Sequence, residues 1–212
     1  MCLRINNEFL SEKPITVYKV LKIRYIYNKK NECKVVYDSP YHQYRWEKGK
    51  KEVNQQPIDI VSGNLTCGVF HSYEYVEDAI CDRESWDVVS KGSDFYVVGK
   101  FTIPAGVKVY KGDAQNAKSY GSRELIFDGV IDLKFSECQA VYGMTNYFYL
   151  PRWDRTDEEI TEEVKKTISG FNRVSVESIN FLNDSLPKYL EWRKKFYENP
   201  IKLKKEKNTN VS

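Results

Sequence analysis

The segment Gly-Val-Phe-His-Ser-Tyr at residues 68–73 groups side chains that could act on a ligand. Its apolar part predicts a short buried strand at residues 68–71, and the residues after it predict a helix over 74–82 with Ser72 as its cap. A histidine at such a junction can face a cleft and exchange protons near neutral pH. Alternatively, His71 only hydrogen-bonds a backbone group and closes the junction. The sequence leaves both roles open.

A second candidate is Glu124, which follows a polar segment and starts a predicted strand. A carboxylate in this place can bind a ribose hydroxyl. The order Tyr18, then Ser72 or Tyr73, then Glu124 is similar to the order of site residues in ADP-ribosyltransferases, where such a glutamate stabilises an oxocarbenium-like state as nicotinamide leaves. The S-T-S and E-x-E strings of that family are missing here. Glu124 is therefore either a solvated residue at a strand start or the key carboxylate of an NAD-using enzyme.

The common catalytic motifs do not occur in this sequence. It lacks the G-x-x-x-x-G-K-[ST] phosphate loop, the G-x-G-x-x-G nucleotide fingerprint, the H-E-x-x-H zinc helix and the G-x-S-x-G nucleophile elbow. Its 5 cysteines are widely spaced and its histidines number 2, which argues against a disulfide framework and a four-ligand zinc site. We therefore expect no metal and no cofactor, except NAD if Glu124 acts on a ribose.

The charge balance limits the partners that the sequence favours. The formal net charge is +3, and residues 151–212 hold 13 basic and 11 acidic side chains. Nucleic-acid binders usually carry a concentrated basic surface, so we expect such contacts only through the lysine-rich tail. The chain starts without the apolar core of a signal peptide, and no apolar run reaches about 18 residues. We expect a cytoplasmic protein with reduced thiols and no membrane partner.

Alternation of apolar and polar residues predicts a β-rich body. Asn-Lys-Lys-Asn at residues 28–31 separates two segments rich in β-branched and aromatic side chains, which predicts a hairpin. The polar segment 112–121 is predicted to be a loop. The predicted strands are 15–27, 33–37, 68–71, 95–103, 107–110, 124–133 and 139–150.

Helical signals follow Pro151. Thr156 and Glu159 form a capping box, and lysines occupy the last turn, which predicts a helix over residues 156–169. A second helical region is predicted over 176–198, with a break or a new start at Pro187.

The first of these helices has a narrow apolar stripe formed by Ile160, Val164 and Ile168. Three buried side chains contribute roughly 1.5–3 kcal/mol each, which is no more than the backbone entropy that ordering the helix costs. We therefore expect the helix to be stable only when docked on the sheet or on a partner. This makes the stripe a candidate partner-binding element.

Several short segments resemble one recurring layout. They are the opening Met-Cys-Leu-Arg, the Val-Tyr-Lys-Val-Leu at 17–21, the Ser-Pro-Tyr at 39–41, the G-V-F-H-S-Y segment with its following Glu-Asp-Ala at 68–79, and the I-P-A-G-V-K-V-Y-K-G at 103–112. This layout resembles a family of small proteins of gut Bacteroidetes and their phages, over roughly residues 1–135. No activity is established for that family, so the resemblance implies a habitat and a fold rather than a reaction.

Together these observations predict an α+β protein with a mostly antiparallel sheet and one short helix in residues 1–150. A helical appendage over 151–200 and a disordered basic tail over 201–212 complete the predicted organisation. We expect a non-catalytic binding or assembly protein, associated with a phage as a virion or host-interaction component. Its partner would be another protein or a second copy of itself. The alternative is the ADP-ribosyltransferase-like enzyme.

Overall fold

A computed structural model describes residues 3–27, 32–40, 44–90, 95–114, 117–133, 140–141, 144, 155–170 and 176–196. The chain forms two compact units, Met1–Asp132 and Leu133–Ser212. Within the described ranges, no helix is long and apolar enough to cross a membrane. The predicted turn at 28–31 and the predicted tail at 201–212 lie outside the described residues.

The first unit is built on one mostly antiparallel sheet, so the predicted α+β class is confirmed. Its described strands are β1 Leu3–Leu10, β2 Ile15–Tyr27, β3 Cys33–Asp38, β4 Arg45–Trp46, β5 Lys51–Val53, β6 Asp59–Val61, β7 Asn64–Cys67, β8 Phe70–Tyr73, β9 Phe95–Ile103, β10 Lys108–Ala114, β11 Ala117–Ser122 and β12 Glu124–Val130. Their order is β5-β12-β9-β2-β8-β11-β10-β1-β7-β6, and β3 pairs with both β2 and β4.

The longest ladder joins β2 and β9, two strands that the alternation pattern predicts closely. Val17 lies opposite Phe101, and both side chains are fully buried. Leu21 and Phe127 extend the same apolar cluster, which Trp46 joins from the short strand β4. Side chains two apart on a strand share a face. The alternation of β9 therefore places Phe101 and Ile103 in the core.

The segment 112–121 is a hairpin and not the loop that its polar composition predicts. Strands β10 and β11 pair with Val109 opposite Ser122 at one end and Ala114 opposite Ala117 at the other. Strand β10 also pairs with β1. Gly112 lies opposite both Ser119 and Ile5, and a Cβ there would overlap the backbone of Arg4. The glycine is a close-packing residue inside a strand rather than a marker of a turn.

The first helix, α1, spans Val76–Ser90 and is longer than the predicted 74–82. Val76, Ala79 and Ile80 are fully buried, as the pattern predicts. No glycine or proline occurs between Val76 and Gly92, so nothing in the sequence ends the helix early. Ser72 does not cap this helix, because it belongs to β8.

A strand predicted over residues 139–150 is also wrong where the structure describes that segment. Ala140, Val141 and Met144 are helical and buried. Ala140 and Met144 are four residues apart, a spacing that places two side chains on one face of a helix. The aromatic residues around them conceal this period in the sequence.

The second unit contains α2 Asp157–Gly170 and α3 Val176–Phe196. The predicted capping box is present: the Thr156 N–H donates to Glu159 Oε2 at 2.7 Å, and the Glu159 N–H donates to Thr156 Oγ1 at 3.1 Å. Pro187 lies inside α3, so the predicted break there is wrong. A proline removes one helical hydrogen bond, and the helix continues through it.

An arginine joins the two helices of this unit. The Arg193 side chain is fully buried on α3, and its guanidinium donates to Asp157 Oδ1 at 3.3 Å and to the carbonyl oxygen of Arg155 at 2.9 Å. Tyr189 and Trp192 stack beside it with ring centroids 6.0 Å apart. These contacts fix the start of α2 against the last turns of α3.

Candidate ligand cavity

A cavity of about 510 Å³ lies where β2 and β8 separate. These strands share one paired position, Tyr18 opposite Tyr73. Beyond it β2 continues beside β9 and β3, while β8 continues beside β11. The cavity is lined from β2, β7 and β8, from α1 at Asp82 and from the loop residues 54–56. Its volume is that of a site for a small molecule.

Lys19 connects the two strands at this separation. It lies on β2 between Val17 and Leu21, which are fully buried, so its side chain leaves the strand on the same face. Its Nζ donates a hydrogen bond to the carbonyl oxygen of His71 on β8. The lysine thus supplies a contact between strands whose backbone pairing has ended.

Burial lowers the pKa of Lys19 to about 8, although the carboxylate of Asp82 acts in the opposite direction. Desolvation disfavours an ammonium because the low-dielectric surroundings solvate the charge poorly. At pH 7 about a tenth of such an amine is uncharged. Lys19 can therefore serve either as a cation or as a nucleophile toward a molecule in the cavity.

One wall of the cavity depends on Gly68. Its φ is +83°, a left-handed conformation, and a Cβ there would lie 2.5 Å from Ile58 Cα. The preceding residue, Cys67, donates a hydrogen bond from its thiol to the carbonyl oxygen of Pro57, with the Sγ and O atoms 3.5 Å apart. The turn at 67–68 therefore packs directly against the backbone of 57–58, which only glycine permits.

A second wall, residues 54–56, is held by Arg123. The arginine Nη2 donates to the carbonyl oxygen of Asn54 at 3.0 Å and to that of Gln56 at 3.4 Å. The Gln56 N–H donates to Asn54 Oδ1 at 3.0 Å, which closes an Asx turn in the same segment. The loop is thereby fixed by several hydrogen bonds.

Aromatic side chains form the apolar side of the cavity. Tyr44 and Phe70 both line it, and their rings meet edge to face with centroids 5.0 Å apart. Trp46 packs behind Phe70 at 4.9 Å. Burial, together with the carboxylate of Glu52 at 3.2 Å from the hydroxyl, raises the pKa of Tyr44. The cavity therefore combines a planar apolar surface with the amine of Lys19.

A cluster of charged and phenolic groups is formed by β10, β11 and the two residues between β8 and α1. Lys111 Nζ lies 3.1 Å from Glu74 Oε2 and 3.3 Å from the hydroxyl of Tyr120. The lysine also lies over the Tyr120 ring. The pKa values of Tyr120 and Tyr75 are both raised, mainly by burial and secondly by the nearby carboxylate of Glu74. The members of this cluster neutralise one another, so it has the character of a structural network.

The structure brings three of the candidate site residues to the cavity. His71, Ser72 and Tyr73 all line it. The His71 carbonyl accepts the hydrogen bond from Lys19, and the Ser72 hydroxyl donates to the carbonyl oxygen of Tyr120 at 3.4 Å. These hydrogen bonds of His71 and Ser72 join β8 to its neighbouring strands beside the cavity.

The structure does not bring Tyr18 and Glu124 together. Tyr18 lies on the face of β2 opposite to Lys19, where burial and Glu77 raise its pKa. Glu124 lies 3.0 Å from Lys51 Nζ, and it does not line the cavity. Strand β9 lies between the strands of Glu124 and Tyr18, and the register offsets the two residues by four positions along the strands. At ordinary strand spacings this separation is roughly 15 Å. The NAD-using alternative stays a prediction that this arrangement does not favour.

The stripe on α2 is covered in this chain. Ile160 and Val164 are 0% and 2% exposed. Ile168 belongs to the helix, and its side chain lies outside the described residues. The partner-binding role of the stripe stays a prediction, and it requires the helix to expose these side chains.

Sequence reasoning missed Lys19, although the sequence contains a signal for it. Val17, Lys19 and Leu21 occupy alternate positions of one strand, so a charge lies in the middle of an inward-facing row. Asp82 and Tyr44 carry no comparable signal. Asp82 is the last residue of the predicted helix, and no local pattern relates it to β2; Tyr44 precedes a two-residue strand in an irregular segment.

A second surface lies at the far end of β2, beyond the start of β9 opposite Ile23. Among the described residues, β2 there pairs with β3 alone, in a hairpin that we call the arm, residues 24–27 and 33–36. The register places Tyr25 opposite Val35 and Tyr27 opposite Cys33, on the same face as Phe95. The apolar side chains of this face are largely exposed, at 56% for Tyr25, 66% for Tyr27, 41% for Val35 and 63% for Phe95.

In comparisons with known proteins, no family model, curated protein or solved structure matches the chain. Among the residues that the structure describes, no group of three or more His, Cys, Asp or Glu side chains is arranged to hold a metal ion. Function must therefore be argued from the cavity and the arm.

Proposed function

We propose that this protein is a non-catalytic binding protein that assembles with another protein through the arm. The supporting observation is the row of exposed aromatic and aliphatic side chains on one face of the arm, with Phe95 beside it. Apolar side chains exposed singly are ordinary, whereas a contiguous group of this kind marks an interaction site. Tyrosine and phenylalanine are also residue types that interfaces favour.

The charge of the hairpin specifies the chemistry of the partner. Residues 22–38 contain five basic and two acidic side chains, so this segment carries as much net charge as the whole chain, +3. Two copies of a basic hairpin repel one another, which disfavours pairing between identical arms. We therefore propose a partner that presents acidic side chains around an apolar surface.

The resemblance to proteins of gut Bacteroidetes and their phages extends this proposal to a setting. A phage-associated assembly protein would act in the host cytoplasm or in the virion. Genes for capsid, portal or tail proteins beside its own gene would support that setting. A toxin–antitoxin or defence neighbourhood would favour the enzymatic alternative.

A random 12-residue peptide library, selected against the immobilised full chain, tests the proposal. We expect the selected peptides to combine Asp or Glu with apolar residues. Their affinity, measured by fluorescence anisotropy, should fall at least about tenfold in a Tyr25→Ser, Tyr27→Ser, Phe95→Ser variant, since buried anchors dominate interface energy.

Leu10→Ser provides a matched control, because Leu10 is 67% exposed at the end of β1, away from the arm. It should leave the affinity of the same peptides unchanged. Peptides that bind both variants equally well, or a selection that yields no binder, would contradict docking by the arm. A dimer seen by light scattering and lost in the arm variant would replace the acidic partner with a second copy of the chain.

A further inference from the structure

The cavity places an amine among groups suited to reaction with a carbonyl compound. The Lys19 side chain leaves β2 into a space of about 510 Å³. Phe70 and Tyr44 give this space an aromatic side, and Asp82 contributes a carboxylate from α1. The hydrogen bond to the His71 carbonyl restrains the Nζ atom, which limits the rotamer freedom that a flexible lysine would lose on reaction.

We infer that Lys19 captures a small aldehyde or ketone in the cavity by forming an imine on its side-chain nitrogen. The nitrogen lone pair attacks the carbonyl carbon, and the carbonyl π electrons move to oxygen, which takes up a proton. The nitrogen gives up one of its two protons, and a second proton on the oxygen lets the nitrogen lone pair expel it as water. The resulting iminium then loses its remaining N–H proton. One water is released, and no oxidant or reductant takes part. This inference is independent of docking by the arm.

Asp82 is the group that would move protons in these steps. Its side chain lines the same cavity, and it acts electrostatically on Lys19. A carboxylic acid can protonate the departing hydroxyl, and the carboxylate can then take the proton from nitrogen. The aromatic side of the cavity would hold a planar carbonyl compound beside the amine and exclude part of the water that hydrolyses imines.

The lowered pKa of Lys19 makes the reaction selective. At pH 7.5 an amine with a pKa of about 8 is uncharged roughly 200 times more often than one with a pKa of about 10.5. Its lower basicity offsets part of this advantage, so a net preference of at least about tenfold is expected. Lys50 and Lys108 are useful references, because the hydrogen bonds that they donate to the carboxylates of Glu52 and Glu8 raise their pKa values.

Reductive trapping on the full chain tests the inference. The protein is incubated with benzaldehyde and sodium cyanoborohydride at pH 7.5, and peptide mass spectrometry measures the labelling rate at each lysine. We expect Lys19 to be labelled at least about tenfold faster than Lys50 or Lys108. The rate should also saturate with benzaldehyde and fall when benzyl alcohol, which lacks the carbonyl, competes for the cavity.

Labelling of Lys19 at the rate of the reference lysines would overturn the inference, as would a rate that rises linearly without competition. Asp82→Asn should slow labelling at Lys19 several-fold and leave Lys50 unchanged. Lys19→Met should abolish the fast-labelled site. The comparison among lysines of the unmodified chain keeps the test decisive even if this variant fails to fold.

Discussion

The cavity and the arm use two ends of the same strand in opposite ways. At residues 17–21, β2 pairs with β9 on one side and diverges from β8 on the other, which leaves a half-buried lysine beside the cavity. At residues 24–27 its one partner within the described part of the chain is β3, and tyrosines are exposed. Lys19 and Tyr25 are six residues apart and therefore lie on the same side of the strand. The neighbouring strands, rather than the residue type, decide which side chain is enclosed.

Each region carries a residue type that folding alone would not place there. Enclosing an ammonium costs free energy unless other groups compensate for its lost hydration. Leaving several large apolar side chains in water gives up the stabilisation that burying them would contribute. The walls of the cavity are packed against the rest of the fold, whereas the arm contributes little to the core. Substitutions in the two regions should therefore differ in their effect on stability.

The largest effect is expected at the wall of the cavity. Gly68→Ala should lower the free energy of unfolding by about 3 kcal/mol or more, because the new Cβ adds overpacking against residues 57–58 to left-handed strain. Gly63→Ala is the matched control, since its φ is +75° but nothing lies within 4 Å of its Cβ position. It should cost only about 1–2 kcal/mol, from the strain alone. Equal losses in urea unfolding would show that the wall is not closely packed.

A smaller effect is expected from the charge inside the cavity. The pKa of Lys19 is lower in the folded state, so between about pH 8 and 10.5 the unfolded chain binds the proton that the folded chain has released. Stability should therefore rise with pH across this window, by about 1–3 kcal/mol relative to Lys19→Met. Urea unfolding of both proteins at pH 7.5 and 10.5 measures the difference. A difference that does not change with pH would mean that Lys19 is well solvated.

The arm should tolerate substitution with almost no loss of stability. Tyr25→Ser and Phe95→Ser should each change the free energy of unfolding by less than about 0.5 kcal/mol, because both side chains are already mostly in water. Phe101→Ala, at the fully buried centre of β9, should cost about 3–5 kcal/mol by comparison. Losses at Tyr25 or Phe95 that approach the Phe101 value would show that the arm belongs to the core.

No effect is expected from NAD. A ligand at 100 times its dissociation constant stabilises a protein by about 2.7 kcal/mol, which thermal denaturation detects easily. Because Glu124 and Tyr18 lie far apart along the sheet, NAD should leave the melting temperature unchanged. A clear increase that disappears in Glu124→Ala would restore the enzymatic alternative and weaken the comparison between cavity and arm.

The sequence predicts the long elements well and the short or irregular ones poorly. Strands β2 and β9 and the start of α2 follow from alternation and from the capping box, which are local signals. Strands β5 and β6 are three residues long, too short to show a period. Gly112 misleads because close approach between strands, rather than a turn, requires glycine there.

The candidate site could be predicted only in part for a related reason. His71 and Ser72 lie beside the cavity, as their place at a strand end suggests. The cavity itself results from the divergence of β2 and β8, which are more than fifty positions apart in the sequence. No local pattern encodes such a separation. The inward-facing Lys19 is the one residue whose position in the alternation could have revealed it.

Hydroxyl-radical footprinting of the full chain tests most directly whether the arm is an open docking surface and the cavity an enclosed one. Mass spectrometry would compare the oxidation rates of Tyr25, Tyr27 and Phe95 with those of Phe70 and Trp46. We predict at least about tenfold faster oxidation on the arm, and protection of the arm alone when a selected acidic peptide binds. Equal rates in the free chain, or peptide protection confined to the cavity residues, would contradict this account.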